Sequence, residues 1–183
     1  NSLKEGIPVP VIFTVRPVRE GGFFAGTEKQ RLDILDKAID SKVSFVDLEL
    51  SIAEKDRDKL SAKAIESKCK IIASFHDSSS TPNADEIVEI MRTNYGKGDI
   101  LKFCSSVANQ QDSLQIIEAA HSLKDDDEPH CLMGLGNGGD WCSYGWSEDQ
   151  MALFPTQYDK WENLQKIKGH EHDCGRPGIN GGY

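Results

Sequence analysis

The sequence predicts an α/β fold built on parallel strands. Apolar runs alternate with charged, helix-like segments five times before residue 134, and the runs are continuously apolar rather than strictly alternating. Strands covered on both faces by crossover helices have this pattern. With 38% hydrophobic and 28% charged residues, the 183-residue chain can bury the core of one domain, or of a domain with a small appendage. It is short for a complete eight-stranded barrel, which typically takes about 250 residues. A formal charge of -9 argues against a nucleic-acid-binding surface. No run of about twenty apolar residues is present to span a bilayer. The first residue is Asn1, which implies a processed terminus or an excised fragment, and a removed signal peptide would leave no trace.

The elements follow in order. Val9 to Val15 reads as a strand that ends in an Arg-Pro and Glu-Gly-Gly turn. A helix from about Thr27 to Ser41 carries Leu32, Leu35 and Ile39 on one stripe, with Thr27 placed to cap it. Val43 to Leu50 is the second strand, and a charged helix over about Ile52 to Ser67 follows, resting on Leu60, Ala64 and Ile65. The third strand is Lys70 to Phe75. SSSTPNADE then starts a helix with Thr81 as cap and Pro82 at the first helical position, running to about Arg92 with Ile87, Ile90 and Met91 inward. Ile100 to Cys104 is the fourth strand. The fourth helix, about Gln110 to Ser122, sets Leu114, Ile117, Ala120 and Leu123 on one side, and His130 to Met133 is the fifth strand. Periodicity alone does not decide between an open doubly wound sheet and part of a closed barrel.

Composition divides the chain at about residue 136. The remainder, 137–183, holds all three tryptophans, and nine of the 16 glycines follow Gly134. So many glycines disfavour helix, so this segment reads as irregular or strand-and-turn structure. Five cysteines without a CxxC pair argue against a zinc knuckle or a thioredoxin-like site. Cys69, Cys104 and Cys131 read as small buried hydrophobes. Cys142 and Cys174 lie in the glycine-rich segment, where a disulfide is conceivable. His170, His172 and Asp173 are metal-ligand types without a full set of ligand spacings.

The polar residues near the strand ends carry the chemistry. Arg16 and Glu20 follow the first strand, Asp47 and Glu49 lie in the second, His76 and Asp77 end the third, and Lys102 lies in the fourth. In a parallel sheet the C-terminal strand ends form one face, where active sites are assembled. Lys102, in DILKFC, is either a snorkelling or salt-bridged lysine or a nucleophile: a desolvated amine attacks a ketone to give an imine that withdraws electrons from the adjacent carbon. His76 is either a satisfied core histidine or a proton shuttle beside that amine. Glu20 is either a loop carboxylate or the group that orients His76. Arg16 either holds a substrate carboxylate or pairs with Asp47 or Glu49. Those two acids share one strand face by the two-residue period.

In these blocks, IFTVRPVREGG at 12–22, FVDLEL at 45–50, IIASFHDSSSTP at 71–82, DILKFC at 99–104 and LMG at 132–134, the sequence resembles type I 3-dehydroquinate dehydratases over about residues 8–136. The resemblance implies a (β/α)8 TIM barrel, here partial or divergent. It also implies a lyase of the shikimate pathway that converts 3-dehydroquinate to 3-dehydroshikimate and water, with no metal and no diffusible cofactor. Lys102 would be the imine-forming residue, His76 the proton-transfer residue and Glu20 its assisting carboxylate, with Arg16 and Asp47 on the substrate. A homodimer or a complementing chain is the implied partner, with no nucleic acid and no membrane, and the location is cytoplasmic. Two family strands that precede the Arg16 strand have no match, nor do the carboxylate-binding arginine and Ser/Gln lid after Gly134, so the 183-residue chain alone is expected to be weak or inactive. The segment 137–157 together with 172–183 resembles the second half of an extracellular Link-type module. The alternative it implies is a non-catalytic extracellular carbohydrate-binding or structural protein, with Trp146 either stacking on sugar or packing in a core.

Overall fold

The computed structural model describes residue 7, residues 9–136 and a two-residue strand at Tyr144–Gly145. Strands β1 (Ile12–Phe13), β2 (Phe45–Glu49), β3 (Lys70–Asp77), β4 (Ile100–Ser106), β5 (His130–Leu135) and β6 (Tyr144–Gly145) follow one another across one sheet in chain order. The first five form the parallel part; β1 on β2 and β2 on β3 are parallel, and β6 returns antiparallel on β5. Helices α1 (Glu28–Asp40), α2 (Glu54–Glu66), α3 (Ala84–Thr93) and α4 (Gln110–Leu123) occupy the connections. The alternation read from the sequence is thus present. Among the described residues no helix is long and apolar enough to cross a membrane.

The described chain divides into two compact units, one holding residues up to Ser78 with Asn94–Lys102, the other Ser79–Thr93 with the residues from Phe103 onward. In the first, α1 and α2 bury Leu35, Ile39, Leu60 and Ala64 with Val46 and Leu48 of β2. Val46 and Leu48 lie on one side of the pleat, so Phe45, Asp47 and Glu49 lie on the other. The register pairs Asp47 with Ile72 and Glu49 with Ser74, which puts Ile72, Ser74 and His76 on the side of the two acids. Ile12 pairs with Phe45, so Thr14 and Arg16, two and four residues on along extended chain, continue that same side. All five residues of β2 are buried, two of them acids.

Helix α1 starts where the sequence indicates. The Thr27 hydroxyl accepts from the Gln30 amide at 3.2 Å, and Gln30 Oε1 accepts from the Thr27 amide at 2.9 Å, a reciprocal capping box. Thr27→Ala should therefore cost about 1 kcal/mol, measured as a lowered urea midpoint.

In the second unit α3 packs on α4, and Ile87, Met91, Phe103, Ile116, Leu123 and Leu132 are each at most 1% exposed. The cap of α3 is Asn83 rather than Thr81. Asn83 Oδ1 accepts from the Glu86 amide and Glu86 Oε2 from the Asn83 amide, both at 3.0 Å, while Thr81 Oγ1 donates to the Ser106 carbonyl at 2.8 Å. Pro82 accordingly precedes the cap. The stripe of α4 is also rotated from the expected one: Ser113, Ile116, Ala119, Ala120 and Leu123 are buried, whereas Leu114 is 52% exposed. Ile116, Ala119, Ala120 and Leu123 form the i, i+3, i+4, i+7 set, and Leu114 falls off it. Ile65 of α2 is likewise exposed, because Leu60 and Ala64 already fill that face.

The first strand is shorter than expected, since Pro10 offers no amide hydrogen and the Val11 amide donates to Ser44 Oγ at 3.1 Å instead of to a strand. Cys69, Cys104 and Cys131 are buried, as their apolar settings indicate. Residues 137–143 and 146–183 lie outside the described residues. With them lie the readings of Cys142 and Cys174, of Trp141, Trp146 and Trp161, of His170, His172 and Asp173, and the Link-type resemblance.

Candidate functional site

Arg16, Glu20, Asp47, Glu49, His76, Asp77 and Lys102, the strand-end residues singled out for chemistry, all fall in the first unit. Asp47, 1% exposed, lies at the centre: Arg16 Nη2 donates to its Oδ2 at 2.9 Å, Thr14 Oγ1 donates to the same oxygen at 3.4 Å, and Ser74 Oγ donates to Oδ1. The Lys102 amine stands 3.5 Å from Asp47 Oδ2, with its side chain 13% exposed. Strand parity brings Thr14, Asp47 and Ser74 together, and β4 delivers Lys102 to the same side. The open alternatives for Lys102 and Arg16 are therefore realised in one respect: both are ion-paired, and both on Asp47.

The second group is His76 with Glu20. His76 Nδ1 lies 3.2 Å from Glu20 Oε2, and Ser51 Oγ donates to the other carboxylate oxygen, Oε1. His76 Nε2 is buried and has no hydrogen-bond partner among the described residues. Burial pulls the imidazole below its usual range, the charges of Arg16 and Lys102 act in the same direction, and the Glu20 hydrogen bond and Asp47 oppose them. Burial works against the Glu20 carboxylate, but the hydrogen bonds from His76 and Ser51 and the charges of His76 and Arg19 outweigh it and leave Glu20 below its usual range. Nδ1 then carries the proton toward Glu20, and Nε2 presents a lone pair.

Local chain geometry explains how Glu20 reaches that place. The loop after β1 closes on itself, with the Gly22 amide donating to the Pro17 carbonyl at 3.0 Å and the Phe24 amide to the Arg16 carbonyl at 3.2 Å. Gly21 takes a φ of 77°, and a Cβ on Gly22 would lie 2.2 Å from the Arg16 carbonyl oxygen. Only a glycine allows that approach, so the Glu-Gly-Gly run read as a turn is what presents Glu20.

A third layer comes from α1. Arg31, fully buried, donates through Nε and Nη2 to Glu28 at 3.1 and 2.7 Å, and through Nη1 to Glu49 and to the Val15 carbonyl, the latter at 3.1 Å. Burial lifts the Glu49 carboxyl above its usual range, Arg31 counters this and the Asp47 charge adds to it. Hydrogen bonding to Arg31, helped by Arg19 against some desolvation, holds Glu28 at about 2. A carboxyl depressed in the folded state adds stability that is complete above its unfolded value and is lost as pH falls toward the folded one. The Glu28 contribution should therefore be intact above about pH 4.5 and fade toward about pH 2. A carboxyl-carbon NMR titration of Glu28 with a midpoint near the ordinary glutamate value would contradict this.

Lys102, Arg16 and Asp47 form one cluster and His76 with Glu20 a second, close enough to the first for its charges to act on the imidazole. Sequence reasoning missed Arg31, Ser51 and Ser74. Arg31 had a readable signal: it lies four residues before Leu35 and eight before Ile39, so a cation occupies the apolar stripe of α1. Ser51 and Ser74 had none beyond parity and proximity to the strand end. No group of three or more metal-ligating side chains occurs among the described residues.

A parallel strand-and-helix succession with an amine, an imidazole and carboxylates gathered on one side of the strands defines the class: an α/β protein of the barrel type. Residues 1–142 match the family described as Type I 3-dehydroquinase. The 3-dehydroquinate dehydratase of Methanocaldococcus jannaschii is 37% identical over 130 residues, which cover 70% of this chain and 56% of that protein. Among solved structures, the Type I 3-dehydroquinate dehydratase from Clostridium difficile superimposes with a TM-score of 0.68 at 26% identity, covering 73% of this chain and 55% of the other. That from Enterococcus faecalis gives 0.68 at 23% identity, with 75% and 62% covered. The chain belongs to the type I 3-dehydroquinase family, and it spans about half the length of the curated relatives it matches.

Proposed function

We propose that this chain carries the imine-forming part of a 3-dehydroquinate dehydratase site. The observation that carries the reading is a primary amine, Lys102, on the same side of the strands as an imidazole whose Nε2 is buried and unpartnered. Lys102 attacks the C3 ketone and, with loss of water, becomes an imine. His76, with Nε2 unprotonated, takes a proton from C2 onto Nε2, and the electron pair of the broken C2–H bond moves into the protonated imine, giving an enamine. The enamine expels the C1 hydroxyl, which leaves as water with the proton returned by His76. Hydrolysis then frees the ketone product and the lysine. Glu20 holds Nδ1 and stabilises the imidazolium formed in between, with Ser51 fixing its second oxygen.

Arg16 and Asp47 are assigned to substrate binding in this reading. Arg16 Nε is buried without a hydrogen-bond partner among the described residues, a donor that a substrate oxygen can satisfy. A homodimer or a complementing chain and a cytoplasmic location accompany the reading by family resemblance. The extracellular carbohydrate-binding alternative rests on residues outside those described, and nothing in the described site favours it.

The test is trapping rather than turnover, because trapping needs the amine and a ketone but not a complete pocket. The folded chain is incubated with 3-dehydroquinate and borohydride and then digested for mass analysis. A reduced adduct on the peptide containing Lys102 is expected. An adduct on another lysine, or none on a demonstrably folded chain, would overturn the assignment.

A further inference from the structure

We propose that Arg31 is a positioning residue: by neutralising Glu49 it keeps the Arg16 guanidinium on Asp47, and so fixes the cation–carboxylate pair beside Lys102. Its effect on imine capture rests on the function proposed above; its effect on Arg16 does not. Arg16 lies between two acids of β2, with Nη2 2.9 Å from Asp47 and Nε 3.8 Å from Glu49 Oε1. Among the described residues Arg16 Nε and Glu49 Oε1, both buried, lack a hydrogen-bond partner, so a second arrangement of Arg16 is close at hand. Glu49 is fully buried and its other oxygen is bound by Arg31. The same guanidinium holds the Val15 carbonyl, the peptide oxygen immediately before Arg16. Arg31 thus fixes the backbone that carries Arg16 and also the charge that competes for it.

Without Arg31, Glu49 is a buried carboxylate whose nearest cation is Arg16. When Glu49 holds a proton, Arg16 has no reason to leave Asp47. When Glu49 ionises, burial makes an unpaired charge costly, and Arg16 is drawn onto it. Asp47 then keeps Ser74, Thr14 and Lys102 only. The charged groups facing Glu49 are Arg31 from α1, with Glu28 behind it; Arg16 from the chain after β1; Asp47 on β2 itself; and Lys102 from β4 through Asp47. From β3 the register partner is the uncharged Ser74, with His76 further along the strand. Burial already biases Glu49 toward holding a proton, and loss of Arg31 removes the charge that opposes this bias.

The test compares the 183-residue chain with Arg31→Met, Arg31→Lys and the double variant Arg31→Met/Glu49→Gln, using two readouts. One is borohydride trapping with 3-dehydroquinate from about pH 6 to about pH 9, as a ratio to the unsubstituted chain at each pH. The other, which needs no substrate, is the Arg16 Nε–Hε NMR signal, assigned by its loss in Arg16→Lys. In Arg31→Met the trapping ratio should fall about tenfold across that range, and the Arg16 signal should move over the same interval, as expected for one linked ionisation. Both changes should vanish in the double variant. Arg31→Lys, which keeps the charge, should hold the Arg16 signal in place.

A flat pH response in folded Arg31→Met, or an Arg16 signal as displaced in the double variant as in the single one, would overturn the proposal. If Arg31→Met does not fold, the double variant decides: folded with Arg16 at its original position supports neutralisation of Glu49, and unfolded or displaced rejects it. If the unsubstituted chain traps nothing while the Arg16 signal behaves as stated, the dehydratase reading fails and the role of Arg31 stands. If it traps normally and Arg16 never moves, the reverse holds.

Discussion

Lys102→Ala should leave a folded chain that forms no borohydride-stable adduct with 3-dehydroquinate. The loss is complete because the amine is the atom that becomes bonded, and no neighbouring group replaces it. Folding should survive, because Asp47 keeps hydrogen bonds from Arg16, Ser74 and Thr14 when the amine is removed. A stability change within about 1 kcal/mol is expected, in line with the loss of one contact among several. Lys70→Ala is the control, since that lysine begins β3 on an exposed position and stacks over the Phe45 ring instead. An unchanged adduct in Lys102→Ala, located by peptide mass, would show that another lysine does the chemistry.

Asp47→Ala should be the most destabilising single change in the site. Asp47 is 1% exposed and is the acceptor for three hydrogen bonds, besides standing opposite the Lys102 amine. Removing it strands two nearly buried cations beside each other, and breaking a buried pair from one side costs about 3–5 kcal/mol. Urea unfolding should therefore show a large fall in midpoint. Asp47→Asn should fall between, since the amide oxygen still accepts hydrogen bonds but neutralises neither cation. A midpoint for Asp47→Ala within experimental error of the unsubstituted chain would mean that Arg16 and Lys102 find other anions or water.

Much of this arrangement was legible because it follows from period and punctuation. The five apolar runs were separated by segments with helical spacing, and Thr27 stood where a cap belongs. Asp47 and Glu49 shared a strand face, and His76 and Lys102 lay in runs otherwise too apolar for them. What remained illegible depends on three-dimensional neighbours. Asn83 and Thr81 are both competent caps, and the choice was made by the Ser106 carbonyl, which takes the Thr81 hydroxyl. Leu114 and Ile116 both suit a buried stripe, and the face of α4 that meets the second unit's core selects the latter. The closer approach of Arg16 to Asp47 than to Glu49 goes with Arg31, a residue on another element whose pairing with Glu49 lies 18 residues away and is announced by no local rule.

Strand β2 also limits how this sequence can change in length. Its odd-numbered residues bring acids to the site, and its even-numbered ones, Val46 and Leu48, seal the helical core. Inserting or deleting one residue inside Phe45–Glu49 exchanges those roles for everything beyond the change. Carboxylates would then enter the layer beneath α1 and α2, and valine and leucine would face Arg16 and Lys102. Length variation in this part of the chain is therefore confined to the connections on either side of β2, where the alternation has not begun or has already ended.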